Sequence, residues 1–265
     1  MGGVQVRATL LQIEVDPAET AADRRGRAAA LVRAQAGADL VVLPELWPVG
    51  AFASDAFADG AERVDGGPTA EAMSAAARDT GVWLHAGSVV ERDPWPGGQL
   101  YNTSLLFAPD GSLHTTYRKI HRFGFDRGEA VLMAGGSQIA TAALPQAVLG
   151  LATCYDLRFP ELFRKLLDAG AGMLVVPAGW PARRLAHWRV LVQARAIENQ
   201  AYVLACGTAG THAGVPQAGH SMVVDPWGTV LAEAGPAEQV LTVDLDPALV
   251  ASTREDFPVL RDRVL

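Results

Sequence analysis

The stretch VLGLATCYDLRFPEL, residues 148–162, changes from apolar to polar at a cysteine. Its first part, together with Ala147, is typical of a buried strand over 147–153. Its last part begins a helix predicted over 161–169, which Gly170 would end. Cys154 therefore lies in a strand-to-helix turn, where a nucleophile is exposed and backbone N–H groups can stabilise an oxyanion. Such strand–helix units are the building blocks of layered α/β domains.

The same alternation of apolar runs and helical stretches extends on both sides of this unit. The runs LVVL at 40–43 and MLVV at 173–176 are β-branched and precede proline, as expected of strands. Further strands are predicted over 4–13, 82–90, 104–107, 112–119, 202–206, 221–225, 229–232 and 239–243. Further helices are predicted over 18–36, 69–80 and 187–200. Because no linker or shift in composition interrupts the pattern, we expect residues 1–265 to form a single α/β domain.

The composition narrows the class of protein. Hydrophobic residues make up 49% of the 265 residues and charged residues 19%, which excludes a disordered chain. The formal net charge of −7 argues against nucleic acid as a partner, because nucleic-acid surfaces need clustered positive charge. The two cysteines, Cys154 and Cys206, are too few for a disulfide scaffold.

The sequence also lacks the patterns typical of secreted, membrane-spanning, metal-binding and phosphate-binding proteins. The segment at 1–16 resembles neither a signal peptide nor a membrane span, because Arg7 and Glu14 interrupt its short apolar run. We therefore expect a cytoplasmic protein with no membrane partner. No His-x-x-x-His or Cys-x-x-Cys spacing predicts a metal site, and no Gly-x-x-x-x-Gly-Lys loop predicts a phosphate site. We expect no cofactor.

A carboxylate follows the predicted strand at 40–43, in the motif LPELW at 43–47. Glu45 stands between Pro44 and the apolar pair Leu46 and Trp47, so we expect it to be partly removed from water. Desolvation moves a carboxyl group toward the pKa range of a general base. The alternative is an ordinary glutamate on a surface loop.

A lysine closes the predicted strand at 112–119, in the motif YRKIH at 117–121. Lys119 could donate hydrogen bonds to a developing oxyanion, and His121 could line the same site. The alternative is an edge-strand charge that prevents aggregation.

The two cysteines have different surroundings. Cys206 ends the apolar run YVLAC at 202–206 and fits the usual fate of a free cysteine, a small buried residue. Cys154 fits that fate less well, since its neighbours become polar at once, and a nearby cation or helix N-terminus would activate it. None of the six histidines stands in a local signature that pairs it with Cys154.

Taken together, LPELW at 43–47, YRKIH at 117–121 and CYDLRFPEL at 154–162 resemble the motifs of the nitrilase superfamily of carbon–nitrogen hydrolases. The resemblance continues through YNTSLLFAPDG at 101–111, ARAIENQAYV at 194–203 and GHSMVVDPWG at 219–228. It implies a four-layer αββα sandwich, in which two sheets face each other and helices cover the outside.

The resemblance also implies a Glu-Lys-Cys triad made of Glu45, Lys119 and Cys154. Cys154 would attack an amide carbon and form a thioester, with Glu45 as the general base. Lys119 and the backbone N–H of Tyr155 would hold the oxyanion. A further family glutamate, Glu129, would orient Lys119 or the substrate amide.

CYDLRFPE at 154–161 resembles the ω-amidase and Nit-protein branch, which hydrolyses monoamides of dicarboxylic acids. PAGWPARRLAHW at 177–188 resembles bacterial ω-amidase-type members. The resemblance implies an amidase that takes a small carboxylate-bearing amide, such as α-ketoglutaramate, and releases ammonia.

A substrate carboxylate needs a cation, and arginine can bind it in a bidentate manner. Arg158 is the first candidate, followed by Arg183 and Arg184. The alternative for Arg158 is a structural ion pair with Asp156 or Glu161. The other residues expected to contact substrate are Tyr155, Trp180 and His121.

Other functions remain open. One is a nitrile-converting or N-carbamoyl hydrolase of the same superfamily, although Tyr155-Asp156 stands where nitrilases carry Trp-Glu. Another is a non-catalytic interaction protein, which the presence of all three triad residue types disfavours. Relatives commonly dimerise through the helices at 161–169 and 187–200, which implies a homodimer or a higher homo-oligomer. Gly207 stands where relatives often carry asparagine, and its effect on the pocket is open.

Overall fold

A computed structural model of the chain describes residues 5–95 and 97–264. Val4, the first residue of the strand predicted over 4–13, lies outside the described residues. The strands are β1 (Val6–Gln12), β2 (Glu14–Val15), β3 (Leu40–Val42), β4 (Trp83–Arg92), β5 (Leu100–Phe107), β6 (Leu113–Arg118), β7 (Ala140–Ala143), β8 (Val148–Leu151), β9 (Met173–Ala178), β10 (Tyr202–Gly207), β11 (Ala209–His212), β12 (Val215–Pro216), β13 (Met222–Val224), β14 (Val230–Glu233) and β15 (Gln239–Leu245). The helices are α1 (Ala21–Arg33), α2 (Pro68–Thr80), α3 (Glu129–Leu132), α4 (Pro160–Asp168), α5 (Leu185–Asn199) and α6 (Ala248–Asp256).

Two six-stranded sheets share one plan. The first has the order β15-β1-β3-β4-β5-β6 and the second β14-β13-β10-β9-β8-β7. In each sheet three central strands are parallel, β1-β3-β4 and β10-β9-β8, and the flanking strands are antiparallel. A small third sheet, β12-β11-β2, was not predicted, because two of its strands have only two residues each.

Alternate residues of the central strands separate the core into layers. Val42 of β3 and Val175 of β9 belong to one apolar cluster between the two sheets. Val41 packs with residues of α1 and α2, and Val176 packs with residues of α4 and α5. Because successive side chains of a strand point to opposite faces, each sheet is buried on both sides. The predicted αββα sandwich is therefore confirmed.

The polar residues of interest lie where strands end. Glu45 follows β3, Cys154 follows β8 and Gly179 follows β9, all at the carboxyl ends of central parallel strands. Lys119 directly follows β6, and its backbone N–H donates to the Asn102 carbonyl of β5 at 2.8 Å. In open α/β sheets ligands bind outside the carboxyl ends of the strands. The two facing sheets thus bring four separate segments of chain to one site.

Within residues 5–95 and 97–264, no helix is long and apolar enough to cross a membrane.

Candidate active site

The turn that carries Glu45 is fixed against strand β4. Leu46 has a positive φ of 44°, and its N–H donates to Ser88 Oγ at 3.0 Å. The Trp47 indole N–H donates to the Ala86 carbonyl at 2.9 Å. Gly87, with φ of 67°, lies so close to the chain that a Cβ there would clash with the carbonyl oxygen of Pro44. Only glycine supplies both this conformation and this approach, so the position of Glu45 depends on β4.

Four side chains form a closed ring of hydrogen bonds. Lys119 Nζ donates to Glu45 Oε1 at 2.7 Å and to Glu129 Oε2 at 2.8 Å. Asn102 Nδ2 donates to Glu45 Oε1 at 2.8 Å and to Glu129 Oε1 at 2.9 Å. All four side chains are buried. The ring holds two carboxylates on one ammonium group and one amide.

The charges within this ring stabilise the ionised lysine. Burial opposes the charge of Lys119, but the carboxylates of Glu129 and Glu45 outweigh it and hold the lysine pKa well above its usual value. Burial raises the pKa of Glu129, Lys119 acts in the opposite direction, and the charge of Glu45 raises it further. An ammonium group has three N–H donors, of which the ring uses two. One donor of Lys119 therefore remains for a ligand.

Cys154 occupies a strained turn at the end of β8. Its φ is 47°, it begins the 3₁₀ helix Cys154–Arg158, and it is 7% exposed. Its Sγ lies 3.8 Å from the carbonyl oxygen of Gly179, whose N–H donates to Glu45 Oε2 at 2.8 Å. Burial raises the pKa of the Cys154 thiol well above its usual range, and the charge of Glu45 adds to this effect. The resting group is therefore a thiol that needs a base, and Glu45 is adjacent.

Asp156 joins the cysteine turn to the lysine segment. This carboxylate is fully buried. Its Oδ2 accepts the Thr153 N–H at 2.9 Å and the Tyr117 hydroxyl at 2.8 Å. Its Oδ1 accepts the His121 N–H at 3.0 Å and lies 2.7 Å from His121 Nδ1. Since Tyr117 and His121 flank Lys119, Asp156 sets the position of Cys154 relative to Lys119.

A cavity of about 610 Å³ opens onto Cys154, Lys119 and both glutamates. Its wall contains four arginines from three segments of chain: Arg127, Arg158, Arg183 and Arg184. Within the described ranges, none of the four forms a salt bridge with a carboxylate. Burial, followed by the charges of Arg183 and Arg158, lowers the pKa of Arg184. The wall is thus a site of uncompensated positive charge.

The structure places two of the expected contact residues, Tyr155 and Trp180, in the wall of this cavity. Arg158 also lines it, with its guanidinium 4.9 Å from the Trp180 ring centre and its Nη2 3.3 Å from His187 Nδ1. The alternative of an ion pair with Asp156 or Glu161 is not supported. Asp156 is already occupied by other donors, and no salt bridge joins Arg158 to Glu161 among the described residues.

The structure does not support the predicted contact of His121 with substrate. It is not part of the cavity wall; its ring nitrogen bonds to Asp156 and its ring stacks on Phe159 at 3.7 Å. Proximity to Lys119 in sequence suggested a substrate contact, but the chain turns after β6 and Asp156 captures the side chain. Gly207 is likewise outside the wall. It is buried where a Cβ would clash with the Gly219 carbonyl, so it allows close packing and does not enlarge the pocket.

Three residues of the site were not singled out from the sequence for these roles: Asn102, Asp156 and Arg127. Asn102 lies within the YNTS motif at 101–104, and the presence of asparagine inside a strand, where this residue type is uncommon, is the signal that could have identified it. Arg127 follows two exposed residues and carries no such signal. In the described part of the chain, no group of three or more His, Cys, Asp or Glu side chains is arranged to hold a metal ion.

Comparison with known proteins identifies the class to which this site belongs. Residues 7–255 match the family model described as carbon-nitrogen hydrolase, and the chain belongs to this family. The predicted nitrilase-superfamily membership is confirmed, and the protein is a hydrolase of carbon–nitrogen bonds other than peptide bonds.

Individual relatives indicate the branch of the family to which the chain is most similar. The chain is 42% identical to the 2-oxoglutaramate amidase of Paenarthrobacter nicotinovorans, covering 98% of this chain and 90% of the relative. It is 37% identical to the omega-amidase NIT2 of Mus musculus, covering 97% and 94% respectively. The crystal structure of Saccharomyces cerevisiae Nit3, a member of branch 10 of the nitrilase superfamily, superimposes with a TM-score of 0.89 at 30% identity, covering 98% of this chain and 97% of Nit3. The chain is thus an ω-amidase-like member of the family.

Proposed function

We propose that the protein hydrolyses the terminal amide of a small carboxylate-bearing substrate to the acid and ammonia, with 2-oxoglutaramate as the first candidate. The names of the two most similar relatives described above support this substrate class. The observation that carries the proposal is the set of unpaired arginines in the wall of the cavity that contains Cys154. Arginine is the side chain best suited to a carboxylate.

Acylation would begin with the thiol proton moving to Glu45 while Sγ of Cys154 bonds to the amide carbon. This transfer is supported by the contacts of both groups with Gly179, whose carbonyl oxygen lies 3.8 Å from Sγ and whose N–H donates to Glu45. The carbonyl oxygen would become an oxyanion held by the remaining N–H of Lys119 and the backbone N–H of Tyr155. Collapse breaks the C–N bond, and the amine leaves as ammonia after taking the proton from Glu45.

Deacylation would reverse the roles with water. Glu45 takes a proton from water, the hydroxide bonds to the thioester carbon, and Cys154 leaves as a thiol when the proton returns to it. The sum is amide plus water giving acid plus ammonia. Glu129, held by Asn102, Lys119 and the Phe123 N–H, would orient Lys119 throughout.

The experiment is ammonia release from 2-oxoglutaramate, a neutral aliphatic amide, an N-carbamoyl amino acid and a nitrile. We expect 2-oxoglutaramate to have the highest kcat/KM and Cys154→Ala to abolish turnover. Preference for the nitrile or the N-carbamoyl compound would refute the substrate class. Unchanged ammonia release by Cys154→Ala would refute the mechanism.

The role of the cavity arginines has its own test. Replacing Arg184 or Arg158 by Met should raise KM for 2-oxoglutaramate about 10- to 100-fold, the value of a charge-assisted hydrogen bond, and leave neutral amides little changed. Arg78→Met, on the exposed surface of α2, is the control for the change in net charge. An equal loss on both kinds of amide would show that the arginines act on the structure and not on the anion.

We also propose a homodimer, in which α5 and the segments beside it form the contact. Val190 and Ile197 are exposed apolar residues of α5, and Ile197 lies against Gly228, the neighbour of Trp227, whose ring stacks on Phe257. Exposed apolar patches of this kind mark protein–protein contacts. Light scattering should give the mass of a dimer, and Ile197→Glu should give the mass of a monomer.

A cytoplasmic location is proposed because the mechanism requires a reduced thiol, and both cysteines are free.

A further inference from the structure

Asn102 contacts both carboxylates of the site. It lies on β5 and is 2% exposed. Its Nδ2 donates to Oε1 of Glu45 and to Oε1 of Glu129, at 2.8 and 2.9 Å. An amide nitrogen has two N–H donors, so both are used. The other hydrogen bonds to the two glutamates come from Lys119 Nζ and from the backbone N–H groups of Phe123 and Gly179.

The orientation of this amide is determined by its partners. Exchanging its nitrogen and oxygen would bring Oδ1 against two carboxylate oxygens, which cannot donate. In the orientation described, Oδ1 is buried and has no hydrogen-bond partner among the described residues. An unpaired buried carbonyl oxygen costs stability. The side chain is therefore arranged to serve the two carboxylates and not to satisfy its own atoms.

Two buried carboxylates that share one cation repel each other. Glu45 and Glu129 face Lys119, while Cys154 and Tyr117 are neutral neighbours when protonated. Like charges at short range favour uptake of a proton by one of the pair. Burial and the charge of Glu45 already raise the pKa of Glu129. If the proton were on Glu45, Cys154 would have no free base beside it.

We propose that Asn102 is a positioning residue that keeps Glu45 and Glu129 ionised together at their observed separation, so that Glu45 is free to accept the proton of Cys154. Lys119 supplies the charge of the ring, and Asn102 supplies the second hydrogen bond to each carboxylate without adding charge. The inference rests on the proposed role of Glu45 as the base. It goes beyond that role, because it names the residue that makes the base available.

The test compares Asn102→Leu with the wild-type protein by the rate of Cys154 alkylation with iodoacetamide as a function of pH. This measurement requires no substrate, so it remains informative even if the proposed substrate is wrong. Loss of two hydrogen bonds lets the carboxylate pair bind a proton at higher pH. We expect the acidic limb of the profile to move up by about one pH unit, which is a tenfold lower rate on that limb. The acidic limb of kcat/KM should move with it.

Two further variants separate this role from a loss of stability. Asn102→Ala removes the same two hydrogen bonds and adds no charge, so its acidic limb should also move to higher pH. Thr103→Val is the matched control. It removes a buried hydrogen bond to a carboxylate, from Thr103 Oγ1 to Glu91, by changing the next residue of the same strand. It should leave the pH profile unchanged.

The outcomes decide the proposal. A shifted acidic limb in the Asn102 variants, with none in Thr103→Val, supports it. An unchanged profile, or a rate lowered equally at every pH, overturns it, because a merely structural role would not depend on protonation. If Asn102→Leu does not fold, Asn102→Ala alone decides in the same way.

Discussion

Replacing Asp156 by asparagine should weaken the connection between the turn that carries Cys154 and the segment that carries Lys119. The side chain hardly changes in size. The carboxylate accepts two donors on each oxygen, with Thr153 and Tyr117 on one and two groups of His121 on the other. Whichever way an asparagine is placed, its NH₂ faces one backbone N–H, of Thr153 or of His121. That N–H loses its partner, and the remaining bonds lose their charge assistance.

The magnitude follows from these contacts. An unsatisfied buried donor costs about 1–3 kcal/mol, and bonds to a charged acceptor are stronger than bonds to a neutral one. We expect a loss of about 3 kcal/mol in the free energy of unfolding, which lowers Tm by roughly 6–12 °C in a chain of this size. Because Asp156 positions Cys154 relative to Lys119, kcat should also fall, by about 100-fold for a displacement near 1 Å.

Thermal melts and steady-state ammonia release measure the two effects. Asp225→Asn is the matched control: Asp225 is also buried, but its Oδ1 alone accepts the N–H groups of Trp227 and Thr229. An asparagine oxygen can accept both, so this control should lose less than about 1 kcal/mol and keep full activity. If Asp156→Asn behaves like Asp225→Asn in both assays, Asp156 does not set the geometry of the site.

Three further predictions concern other parts of the molecule. Iodoacetamide at pH 8 should alkylate Cys154 alone, because Cys154 lines the cavity whereas Cys206 is fully buried between the sheets; a second adduct in the mass spectrum would contradict this. Burial lowers the pKa of His85 to about 4, so the unfolded chain binds a proton first and Tm should fall as pH decreases from about 6.5 to 4; His85→Gln should weaken that dependence. Gly87→Ala should lower Tm and turnover more than Gly37→Ala, which also has a positive φ but has open space around it; equal losses would show that the clash with Pro44 does not matter.

The layered fold could be predicted because the sequences of its central strands are continuous apolar runs. LVVL at 40–43 and MLVV at 173–176 are buried on both faces, which is what parallel strands between two layers require. The strand at 140–143 was missed, since its sequence ATAA has little preference for a strand. The small sheet was missed because its pairing joins β2 to β11, nearly 200 residues away in sequence, and distant pairing leaves no local signal.

The site was predictable only in part for a similar reason. Cys154, Glu45 and Lys119 each stand at the end of a strand, and this local context together with the family resemblance predicted that they belong to one site. The contact of Asn102 with Glu45 joins residues 57 positions apart. The placement of His121 depended on the buried carboxylate of Asp156, which the sequence offered only as a partner for Arg158. Long-range polar contacts decide such details, and periodicity does not encode them.

The charge distribution of the cavity also affects how the substrate is oriented and how the product is released. The net charge of −7 repels an anion at long range, but at physiological ionic strength this effect is screened beyond about 8 Å. Inside the cavity the arginines offer a positive wall, while Glu45 and Glu129 leave the ring around Lys119 with one net negative charge. Under the proposed function, an ω-amide would bind with its carboxylate toward the arginines and its neutral amide toward the ring. Hydrolysis would create a second carboxylate beside Glu45 and Glu129, so the charge that selects the amide would also repel the product.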